Sequence, residues 1–121
     1  VIETFGLTHL NLAVRDPERS LRFYESVFGA KEYYRDDESI QVQGPGKHVV
    51  IAFEKNPKLS GKTGGIAHFG FRLKDPADID AAIDEVKKAG GKILRRGEFA
   101  PGFPFVYVAD PDGYEIEIWF E

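Results

Sequence analysis

The chain repeats itself, and an internal repeat narrows the choice of fold more than any single motif. "HLNLAVRDP" at 9–17 matches "HFGFRLKDP" at 68–76, with His first and Asp-Pro last in both. "GAKEYYR" at 29–35 matches "GGKILRR" at 90–96, and "GKHVVIAFE" at 46–54 matches "GYEIEIWFE" at 113–121. The order is kept while the spacing between copies widens, so the loops have lengthened within one plan. The copies run near 7–54 and 66–121, joined by a Gly-, Pro-, Lys- and Ser-containing linker, "KNPKLSGKTGG", at 55–65. The 121 residues suit one domain, 1–121, built from two small modules that share a core.

Each copy opens with a strand. Leu10, Leu12 and Val14 alternate with His9, Asn11 and Ala13, and Phe69, Phe71 and Leu73 alternate with His68, Gly70 and Arg72. A helix follows in each. Asp16-Pro17 is an N-cap and first-turn pair, Leu21, Tyr24, Val27 and Phe28 form a helical stripe, and Gly29 is a stop. In the second copy Asp75 or Asp78 can cap, Ile79, Ala82, Ile83 and Val86 make the stripe, and Gly90-Gly91 ends it. Three strands then follow, near 31–36, 39–44 and 47–54, and near 92–97, 104–109 and 114–120. The unit is βαβββ, twice. The fold class is therefore α+β, with each helix covering the apolar face of its sheet.

Composition limits the partners. A formal net charge of −4 argues against nucleic acid, which calls for clustered Lys and Arg. No apolar run is long enough for a membrane span, and no signal-peptide pattern opens the sequence, so a cytoplasmic location is expected. With no cysteine, disulfides and thiolate chemistry are excluded, and the only soft metal-binding side chains are His9, His48 and His68.

His9 and His68 open equivalent strands, and Glu117 lies late in the second copy; all three fall opposite the aliphatic face. Two His and one carboxylate on rigid strands are a recurring metal set, suited to Fe, Mn, Zn, Ni or Co. Either histidine alone reads more readily as a hydrogen-bonded structural residue than as a ligand; the repeat is what favours ligation.

The stretches "HLNLAVRDPERSLRFYESVFGAKE" (9–32), "AHFGFRL" (67–73) and "VYVADPDGYEIEIW" (106–119) resemble the vicinal oxygen chelate superfamily of glyoxalases, epimerases, fosfomycin and bleomycin resistance proteins and extradiol dioxygenases. The resemblance covers nearly the whole chain. It implies two tandem βαβββ modules forming a cup-shaped mixed sheet with helices on the outer face. It also implies a divalent metal held by His9, His68 and Glu117, chelated by two oxygens of a small oxygen-rich substrate. Glyoxalase-like members add a carboxylate or amide from the first module. The repeat alignment puts Val50 opposite Glu117, with Glu54 and His48 displaced on the same face. A three-ligand site favours dioxygenase-like and fosfomycin-transferase branches.

Tyr107 reads either as a core aromatic or, by the resemblance, as a catalytic hydroxyl near the metal. Asn11, Arg72 and Trp119 are candidates for binding substrate or lining the cup. Glu115 is expected at the rim. Glu98 is a candidate acid–base group, Arg72, Arg95 and Arg96 could make a cationic pocket, and the loop "EFAPGFPF" (98–105) is expected over the pocket mouth.

The functional expectation is a metal-dependent enzyme, leaning to dioxygenase-like activity. The alternatives are a metal-dependent lyase or isomerase, a fosfomycin-type thiol transferase, and a metal-free drug-sequestering protein of the bleomycin resistance type. Members of this length imply a homodimer with sites shared between chains.

Overall fold

The computed structural model describes residues 1–121. It divides into two compact units, Val1–Ser60 and Gly61–Glu121. The first holds β1 (His9–Val14), α1 (Pro17–Phe28), β2 (Lys31–Arg35), β3 (Ser39–Gln43) and β4 (Val50–Lys55). The second holds β5 (Phe69–Arg72), α2 (Ile79–Lys88), β6 (Lys92–Glu98), β7 (Pro104–Ala109) and β8 (Glu115–Trp119). Each unit is one mixed four-stranded sheet, ordered β1-β4-β3-β2 and β5-β8-β7-β6. The first strand of each unit pairs parallel with the last, and the other pairs are antiparallel. This is the α+β plan of two βαβββ modules read from the repeat.

Local chemistry explains the helices. The Asp16 carboxylate accepts from the Glu18 N–H at 3.1 Å, Pro17 opens α1, and Gly29 closes it at φ 66°. The buried stripe is Ser20, Leu21, Phe23 and Tyr24, with Val27 and Phe28 half-buried. Phe23 was absent from the helical-spacing reading. Asp75 caps a 3-10 turn, Pro76–Asp78, by accepting from the Ala77 N–H, and α2 continues from it. Asp78 makes no side-chain cap.

Both cores lie between helix and sheet. In the first unit Phe53 meets Tyr24 with ring centroids 5.0 Å apart, and both are fully buried. In the second, Ile79, Ile83 and Val86 of α2 are buried, as are Val106, Val108, Ile116 and Ile118 of β7 and β8. A cation ties each sheet to its helix: Arg35 to Glu18 of α1, and Arg96 to Asp80 of α2 at 3.0 Å. A β-bulge recurs too, at Tyr33 and at Leu94, each left without a partner across the ladder.

Strand pairing corrects one feature of the repeat. His9 pairs with Val50 and Asn11 with Ala52, whereas Gly70 pairs with Glu117. From the other side, Gln41 pairs with Ala52 and Tyr107 with Glu117. Ala52, and not Val50, is therefore the counterpart of Glu117, and Glu54 is the counterpart of Trp119. The error came from aligning Gly46 with Gly113. Gly113 closes its turn in the left-handed region at φ 93°, but Gly46 is not in that region, and the chain runs on to Val49 before β4 begins. Alanine cannot ligate any more than valine can, so Glu117 still has no twin.

The turn before β8 is held by one buried side chain. The Asp110 carboxylate accepts from the Asp112 and Tyr114 N–H groups, both at 2.9 Å, and is 4% exposed. Asp110→Ala strands those donors. A loss of about 2 kcal/mol is expected in urea unfolding, with Asp110→Asn recovering part of it.

Candidate functional site

Alternation along β8 sends Ile116 and Ile118 into the core and Glu115, Glu117 and Trp119 to the face away from α2. Tyr107 pairs with Glu117, and Arg95 pairs with Tyr107, so both join that face. His68 stands immediately before β5, one residue ahead of the pair Phe69–Ile116.

These side chains converge. His68 Nε2 lies 3.2 Å from Glu117 Oε2. Two donors at neighbouring positions around an ion with bonds of about 2.0–2.2 Å lie roughly 3 Å apart, so the pair has the spacing of two metal ligands. The Tyr107 ring meets the His68 ring edge-on, with centroids 5.0 Å apart. Burial first, and then the hydrogen bond and negative charge of Glu117, push the Tyr107 hydroxyl above its ordinary pKa. Tyr107 therefore keeps its proton at neutral pH. Arg95 lies over the Tyr107 ring, 3.9 Å from its centroid, and donates to Glu115 Oε1 at 3.0 Å. Glu115 Oε2 in turn faces His68 Nδ1 at 3.8 Å.

The predicted residues thus divide. His68, Glu117 and Tyr107 are together. Trp119 shares their face, its indole lying over Gly70, where a Cβ would come within 2.6 Å of the ring. Arg72 pairs with Trp119 on that face. His9 and Asn11 lie in the first unit, on the matching face of β1, where the Asn11 amide donates to Glu54 at 3.5 Å. Within each unit no three His, Asp or Glu side chains gather as a metal-holding group.

Two secondary expectations are corrected. Arg96 and Glu98 point to the helix side, because strand alternation puts them with Val106 and Pro104; they line a cleft of about 490 Å³ with Pro76 and Ile79. Neither serves the face of Glu117. The 98–105 segment is a closed hairpin, with the Phe99 N–H donating to Phe103 O; Phe99 packs on Phe105, which meets Tyr107 edge-on on the face of Glu117, while Gly102 lines the cleft on the other side. His48 stacks on Phe5 at 3.9 Å. The residue that sequence reasoning undervalued is Glu115, whose contact with Arg95 reaches across β7 to β6 and needs the register to be seen.

A family model described as the Glyoxalase/Bleomycin resistance protein/Dioxygenase superfamily matches residues 6–118. The chain belongs to this superfamily. Among its relatives, a catechol-2,3-dioxygenase of Bacillus subtilis (strain 168) is 30% identical over 97% of this chain; the chain spans 42% of that enzyme. A probable lactoylglutathione lyase of Synechocystis is 29% identical, with 93% of this chain and 92% of that protein covered. The crystal structure of the fosfomycin resistance protein FosX from Mesorhizobium loti superposes with a TM-score of 0.78 at 26% identity, covering 98% of this chain and 94% of that one. The superfamily match thus spans dioxygenases, lyases and resistance proteins.

Proposed function

We propose that this chain is a divalent-metal-dependent enzyme of the superfamily acting on a small oxygen-rich substrate, with dioxygenase-like activity. The observation that carries it is His68 Nε2 facing Glu117 Oε2 at ligand spacing, on a face that also holds Tyr107, its ring edge-on to His68. His68 and Glu117 would hold the ion, and His9, at the same place in the first module, would complete the set. The bound ion would supply Lewis-acid chelation of two substrate oxygens.

The other roles belong to the chain itself. Tyr107 holds a proton beside Glu117 and can donate it to a substrate oxygen. Trp119 walls the site and keeps water from one side of it, while Asn11 and Arg72 offer polar contacts to substrate. The assembly is a homodimer with two equivalent sites. The catechol dioxygenase relative supports the oxygen-dependent reading. The lyase relative, together with a metallothiol transferase FosB of Lysinibacillus sphaericus that is 27% identical over 93% of this chain, supports a second reading, a metal-dependent lyase or thiol transferase on the same ligands.

Protein purified without chelator is expected to carry a divalent metal and to consume dioxygen when a catechol is added. Metal without oxygen uptake for any catechol sinks the dioxygenase reading and leaves the lyase or transferase one. Failure to take up Fe(II), Mn(II), Zn(II), Ni(II) or Co(II) sinks both and leaves a sequestering protein.

A further inference from the structure

His68 has two ring nitrogens, and the structure gives each a different carboxylate. Nε2 faces Glu117 at 3.2 Å and Nδ1 faces Glu115 at 3.8 Å. One imidazole cannot present both nitrogens to a single ion, so Glu115 and Glu117 cannot be equivalent ligands beside His68. Their surroundings differ as well. Glu117 is the less exposed, at 14% against 25% for Glu115. Glu115 has a permanent cation, Arg95, on its other oxygen at 3.0 Å. Arg95 is fixed in turn by lying over the Tyr107 ring, which packs edge-on against His68. The four side chains close a ring: His68, Tyr107, Arg95, Glu115 and back to His68.

We infer that Glu115 is a positioning residue for His68, held in place by Arg95, which faces the Nδ1–H and thereby aims the Nε2 lone pair at the metal. The inference rests on the metal reading above and assigns a task to a carboxylate that has none in it. The physics is that of an outer-shell partner. A ligating imidazole must keep its remaining proton on the nitrogen away from the ion, and a carboxylate there fixes both the tautomer and the ring plane. Arg95 keeps Glu115 from turning toward the ion itself, since the guanidinium already engages its Oε1.

The experiment is a Zn(II) titration of the full chain by calorimetry, with thermal unfolding of each metal-free variant alongside. Glu115→Ala is expected to weaken Zn(II) binding roughly 10–100-fold. Glu115→Gln, which keeps an amide oxygen to face Nδ1–H, is expected to stay within a few-fold of the parent. In the Zn(II)-loaded parent, long-range nitrogen–proton NMR is expected to place the His68 proton on Nδ1. Parent protein that binds Zn(II), with Glu115→Ala binding it equally well, overturns the inference and leaves the metal reading standing. Equal losses in the Ala and Gln variants also overturn it, as does a proton found on Nε2. Parent protein that binds no Zn(II) or other divalent ion overturns both.

Discussion

Glu117→Gln is expected to lose its divalent metal while remaining folded. Glutamine keeps the length and shape of the side chain, so the strand and its burial are retained. What goes is the charge beside His68 Nε2 and the stronger of the carboxylate donor sites. The loss in affinity should exceed the roughly 10–100-fold typical of an outer-shell partner, because here the ligand itself is neutralised. The measurement is metal content by elemental analysis after purification without chelator, beside the melting temperature of the same preparation. Glu115→Gln is the control, since it lies two residues away on the same face and carries the same change in charge. Retained metal in Glu117→Gln at the level of Glu115→Gln would sink the ligand assignment.

Phe53→Ala is expected to be the most costly change in the first unit. The ring is 0% exposed and packs on Tyr24, itself 0% exposed. Its position in β4, paired with both Leu12 of β1 and Ile40 of β3, puts it at the centre of the sheet's buried face. Truncation leaves a hole that neighbours fixed on two strands and a helix cannot fill, and a loss of about 3–5 kcal/mol follows. That is a large share of the roughly 5–15 kcal/mol by which domains are stable. Urea unfolding followed by tyrosine and tryptophan fluorescence measures it. Leu59→Ala, at a side chain 51% exposed, is expected to change stability by less than about 0.5 kcal/mol. Similar midpoints for the two variants would refute the packing account.

Much of this fold is legible in the sequence. The repeat exposed the βαβββ plan, because each Asp-Pro cap and each Gly stop is local chemistry that acts within one turn of helix. Alternation put His68 and Glu117 on one face, whereas Tyr107 joined them only through the register of β7 on β8. What stayed hidden depends on register, which alternation alone does not define. Two glycines that look equivalent in the sequence, Gly46 and Gly113, close their turns differently, so β4 was aligned two residues out of step. Glu115 reads as a rim residue because it lies near the turn, and its ion pair stayed hidden for the same reason as the register. Its partner Arg95 is on β6, beyond β7, and a bulge at Leu94 decides which arginine comes to that face. Had the ladder run without the bulge, the face of Arg95 and the face of Arg96 would be exchanged.

Asn11 and Gly70 hold the same place in the two units, and so do Glu54 and Trp119. In one unit the place is occupied by an amide reaching a carboxylate, and in the other by a bare backbone beneath an indole. The two halves thus differ by couples: a large ring stands where its neighbour has no side chain, and polar groups stand where both have one. For anyone recombining the halves, the unit of exchange at this spot is two residues, since an asparagine brought alone into the second half would meet the tryptophan already there.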